Sequence, residues 1–160
     1  MKAPLLFAQL ERLLPLATKW ATAVEKRILR EGVPLGEEGR ADARALGVRA
    51  PECVRLLALP RAPAPADLTL KTAAAAIQFL TPATRGLTLR YGIFVRNDCW
   101  GDRALVAHEL AHTAQYERLG GIEPFLRDYL AECLTLGYPH GPLEQEAIAA
   151  VCALETRRLA

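Results

Sequence analysis

Residues Asp102–Gly121 read DRALVAHELAHTAQYERLGG. Asp102 can cap a helix and Gly120-Gly121 can stop one, so this stretch predicts a helix over 103–119. At its centre lies His108-Glu109-Leu110-Ala111-His112. Residues i and i+4 lie one above the other on a helix, so both imidazoles can reach one metal ion. Glu109, beside the first, can face the same cleft and act on a metal-activated water as general base. This is the His-Glu-x-x-His pattern of zinc hydrolases. Its flanks, Ala104-Leu105-Val106-Ala107 and Ala111, are apolar, leaving His-Glu-His as the polar inward set. The implied chemistry is metal-dependent hydrolysis, with peptide bonds as the target.

A catalytic zinc takes three protein ligands and keeps a position for water. His140 is the only other histidine, and the nearby downstream acids are Glu117, Glu123, Glu132, Glu144 and Glu146. Pro142 opens a last helix running to about Leu159. On it Glu144 shares a face with Ile148 and Val151, an apolar face where a carboxylate needs a partner. Glu146 lies about 200° round at 3.6 residues per turn, with Ala150, Ala153 and Arg157. Helical geometry favours Glu144 as third ligand and keeps Glu146 as second choice. Tyr138 and His140, in the loop before this helix, are candidate transition-state stabilisers.

Upstream, residues 4–14 predict a helix that Pro15 breaks or kinks. A second follows over 16–30, with Leu16, Trp20, Val24 and Ile28 at helical spacing. A short helix is expected over 37–46, closed by Gly47, then a strand over 53–59 between Pro51 and Pro60. Pro60, Pro63 and Pro65 form a stiff connector, and Asp67 caps an alanine-rich helix to about Leu80. Residues 87–96 alternate and predict one strand: Leu87, Leu89, Tyr91, Ile93 and Val95 on one side, Thr88, Arg90, Gly92, Phe94 and Arg96 on the other. A helix begins at Pro124 and ends at Gly137.

The chain has 160 residues, 51% of them apolar, which suits one domain with a real core. Its 20 basic and 18 acidic residues leave a net charge of +2, which gives no electrostatic case for nucleic acid or an anionic membrane. Cys53, Cys99, Cys133 and Cys152 form no Cys-x-x-Cys pair and are expected to be reduced and mostly buried. Glu11 and Arg12 interrupt the first apolar run, so a soluble, cytoplasmic protein is expected.

Leu105–Gln115 resembles the active-site helix of the zincin metallopeptidases. Pro142–Ala147 is similar to the glutamate helix of the gluzincin branch, especially its minimal members and the HtpX/CAAX-protease group, where alanine follows the ligand glutamate by three positions, as Ala147 follows Glu144. The resemblance covers roughly residues 87–155. It implies an α+β, zincin-like fold of about six helices and a small sheet, the His108–His112 helix packed on the Glu144 helix. It implies a zinc peptidase acting on a peptide or protein substrate, with an extended substrate pairing along residues 91–96. One domain over 1–160 is expected, with 1–65 as a helical and strand extension and 66–160 as catalytic core. The pattern departs at Ile148, where many gluzincins carry an aspartate that orients a zinc histidine; Asp98, Asp102, Asp128 or a backbone carbonyl are the candidates to substitute for it. The alternative is a catalytically silent member of the fold that binds zinc or a protein partner.

Overall fold

The computed structural model describes residues 3–159 and opens with a single helix, α1 (Ala3–Glu31), where the sequence predicts two. Pro15 sits inside it. A proline costs one backbone hydrogen bond and crowds the preceding turn. Here the apolar stripe runs on through it, with Leu10, Leu14, Ala17, Ala21 and Ile28 all buried. Tertiary packing of that stripe outweighs the local penalty.

After β1 (Val33–Pro34) come α2 (Glu37–Ala45) and β2 (Arg55–Leu59), close to expectation. The helix capped by Asp67, α3 (Leu68–Ala76), ends earlier than predicted. Gln78 turns with φ +60°, and the N–H groups of Phe79 and Leu80 both donate back to the Ala74 carbonyl. An all-alanine turn has no periodic apolar stripe to keep it against the core.

The largest correction concerns 87–96. These residues form a hairpin, β3 (Gly86–Leu89) and β4 (Gly92–Arg96), turned at Arg90-Tyr91. Arg90 takes φ +60°, a conformation that glycine usually fills, so no turn signal marks it. Gly92 is needed for a different reason. A Cβ there would stand 3.1 Å from the Ile28 side chain and 3.2 Å from Glu25 Cα, so α1 can cross β4 this closely only over glycine. The turn also shifts the alternation: Leu87 pairs with Phe94 and Thr88 with Ile93. Thr88 therefore shares a face with Ile93 and Val95.

The four described strands form one mixed sheet in the order β1-β2-β4-β3, with β2 and β4 parallel and the other pairs antiparallel. Helices cover both faces. On one, α1 and α5 (Ile122–Leu136) pack with Leu87, Leu89 and Phe94; on the other, α2 and α4 (Arg103–Leu119) pack with Ile93 and Val95. The last helix, α6 (Pro142–Leu159), packs along α4. The described chain is thus α+β with six helices and a small sheet. The segment before residue 66 is built into it: β2 pairs with β4, and α1 packs on α5 and β4. All four cysteines are free, but Cys53 and Cys152 are exposed, so only Cys99 and Cys133 meet the expectation of burial. Among the described residues no helix is long and apolar enough to cross a membrane.

Candidate metal centre

Helix α4 starts where Asp102 accepts a hydrogen bond from the Leu105 N–H and ends at Gly120 in the left-handed region. Between these caps it carries His108 and His112 on one face, and α6 brings Glu144 against them. His108 Nε2 lies 3.1 Å from Glu144 Oε1, His112 Nε2 lies 3.2 Å from Glu144 Oε2, and the two Nε2 atoms are 3.2 Å apart. Donors about 2.05 Å from a tetrahedral ion lie roughly 3.3 Å from one another. The three side chains could hold a metal ion.

Their chemistry fits one. Glu144 is only 4% exposed. Burial works against its charge, yet the two imidazoles hold its carboxyl well below the usual carboxylate range. Neither imidazole is a fixed cation. His108 shows the reciprocal effect: burial works against its charged form, but the Glu144 hydrogen bond and the charges of Glu109 and Glu144 raise its pKa. The cluster attracts a cation, and a proton and a metal ion compete for it.

The supporting contacts fix the donors. Gln115 Nε2 donates to the Leu143 carbonyl (2.8 Å), which can only accept. The Gln115 carbonyl oxygen is thereby turned to His112 Nδ1, 2.8 Å away, so Nδ1 carries the proton and Nε2 presents its lone pair to the cluster. Tyr129 donates its hydroxyl to Glu144 Oε2 (2.8 Å). Phe125 and Tyr129 stand edge-on to the His112 ring, making that wall apolar.

Glu109 lines the same cleft as the two histidines and is 6% exposed. Thr88 Oγ1 lies 2.6 Å from Glu109 Oε2 and donates to it. Gly86 leaves room for the carboxylate, because a Cβ there would collide with Glu109 Oε1. Both residues reach Glu109 because of the phase shift across the hairpin turn.

A cleft of about 470 Å³ opens over His108, Glu109, His112 and Glu144. Tyr138 lines it, and burial together with the charges of Glu144 and Glu109 pushes its hydroxyl up to about 12, so it is a neutral donor at pH 7. His140 is exposed and lies outside the lining. Glu146 is on the surface in a forked pair with Arg118 (2.6 and 2.8 Å). The face argument for Glu144 holds only in part: Leu143, Ala147 and Leu154 share its buried stripe, whereas Ile148 is 39% exposed and lines the cleft.

Gln115, Tyr129 and Thr88 are the site residues that the sequence did not single out. Gln115 sits three positions after His112, on the same helical face, and that spacing was a usable signal. Asp98 is paired with Arg96, Asp102 caps α4, and Asp128 is exposed, so Gln115 takes the place of an orienting carboxylate. Substrate pairing along 91–96 is ruled out, since β4 is flanked by β2 and β3. The sheet ends at β3. There Arg85 faces β4 by accepting from the Arg96 N–H, so Gly86 and Thr88 face outward, and the Thr88 carbonyl is taken by the Tyr116 hydroxyl. Gly86 is the open position.

No protein-family model, curated protein or solved structure matches this chain.

Proposed function

We propose that this protein is a zinc-dependent peptidase of zincin-like architecture. The observation that carries the reading is the juxtaposition of His108, His112 and Glu144 beside the separately held Glu109 carboxylate. The first three would hold the zinc. When bound, it supplies Lewis acidity that polarises a carbonyl and acidifies water. Everything else falls to the chain. Glu109 takes a proton from the attacking water as its oxygen bonds to the scissile carbonyl carbon. It then returns that proton to the amide nitrogen as the C–N bond breaks, leaving a carboxylic acid and an amine. Thr88 holds Glu109 in place. Tyr138, neutral and at the cleft wall, donates to the carbonyl oxygen as charge builds there. Gly86 offers its backbone to an extended peptide.

The test is Glu109→Gln, assayed on a quenched-fluorescence peptide library. The expected result is full zinc content with turnover lost. Wild-type turnover in that variant would overturn the general-base assignment. Zinc-loaded wild type that cleaves no library peptide would overturn the peptidase reading.

A further inference from the structure

A second cavity, of about 540 Å³, lies between α1, α3 and α5. Leu13 and Trp20 of α1, Ala73 of α3 and Leu130 of α5 are among its walls, and among the described residues no charged side chain lines it. It adjoins the metal cleft: Gln78, Phe79 and Tyr138 line both. Phe79 is the partition. Its ring stands edge-on to Tyr129 at 5.9 Å and to Trp20 at 6.5 Å, while Tyr129 holds Glu144. A molecule with one group at the three donors has its next groups beside this chamber.

An apolar chamber next to a polar centre is the usual build of a ligand site, and pockets of roughly 300–1,000 Å³ take whole ligands rather than single methyl groups. This one has room for more than one large side chain. The backbone of Gly86, open at the same cleft, favours a peptide over a hydrocarbon chain, which cannot pair with it.

Resting on the peptidase reading, we propose that this chamber is the specificity site. It takes two or more apolar side chains of a peptide whose scissile bond lies at His108, His112 and Glu144. Residues of α1, from the segment without resemblance to the zincins, then choose the substrate.

The experiment uses the full chain carrying Glu109→Gln, loaded with zinc, and fluorescence anisotropy. The probes are two labelled hexapeptides, one with a Leu-Phe pair on either side of the central bond and one with serine at those places. The apolar peptide is expected to bind at least about tenfold more tightly. Adding Ala73→Phe or, at the rim, Ala76→Trp should remove the preference while zinc content and circular dichroism stay unchanged. Equal affinity for the two peptides, or a preference that survives both fillers in folded protein, overturns the proposal. So does binding of oleate with no binding of either peptide. The two readings fail separately. A preference in Glu109→Gln without cleavage by wild type removes the peptidase and leaves the chamber, whereas equal cleavage of both peptides removes the chamber and leaves the peptidase.

Discussion

Glu25 and Glu144 are both buried glutamates, 2% and 4% exposed, yet they are compensated in opposite ways. Glu25 of α1 takes a forked pair from Arg90 (2.8 and 3.2 Å) and the Tyr91 N–H. Its partner is a permanent cation, so the pair is complete and ties α1 to the hairpin turn. Glu144 faces two imidazoles, which are cations only when protonated. A buried carboxylate with a fixed cation is a structural joint; one faced by two imidazoles, which are charged only while they hold a proton, is a place for an ion. Asp42 belongs with Glu25: Arg103 (2.9 and 3.1 Å) and Arg158 (2.6 Å) clamp α2 to α4 and α6 through it.

The contrast breaks most visibly at Glu144. Glu144→Ala should weaken zinc binding by more than the roughly 10–100-fold that loss of an outer partner costs, with the fold intact by circular dichroism. Calorimetric zinc titration checks this, and undiminished affinity would place Glu144 with the structural pairs. Gln115→Ala comes next. It frees His112 to adopt the wrong tautomer and should cost about 10–100-fold in zinc affinity, read in the same titration.

Glu25→Gln should leave zinc affinity unchanged and lower stability by about 1–3 kcal/mol. The figure sits below that of a fully buried pair because Arg90 is 42% exposed and water takes over its solvation. Urea unfolding measures it. The smallest effect is the acid response of Asp42. Burial works against its charge, but Arg103 and Arg158 outweigh that and hold its pKa below the ordinary carboxylate value. Its contribution is therefore full above about pH 4 and is lost as pH falls through the lowered value. In thermal melts between about pH 5 and pH 2, Asp42→Asn should show a shallower fall than wild type.

Much of the fold was legible because local signals agreed with tertiary packing. Asp102 and Gly120 bound α4 as the sequence predicts, and α6 runs over its expected span. The failures have particular causes. Pro15 was a valid local signal, overruled by a stripe of buried side chains on both sides of it. The Arg90-Tyr91 turn carries no glycine, so a hairpin read as a strand and every face after it was assigned one residue out of phase. That error hid Thr88. The three donors were legible because two share a helix and the third lies on a partly apolar face of the last helix. Tyr129 was not, since its hydroxyl matters only once α5 and α6 meet. The cavity behind Phe79 is a property of three helices together and leaves no mark on any one of them.

The central claim is that His108, His112 and Glu144 form one metal centre. X-ray absorption at the zinc edge, on protein loaded with one equivalent, tests it most directly. The expected spectrum fits two imidazole nitrogens and oxygen donors at about 2.0–2.2 Å, and it loses one imidazole in His112→Ala. A spectrum with sulfur near 2.3 Å, or one unchanged by His112→Ala, would contradict it.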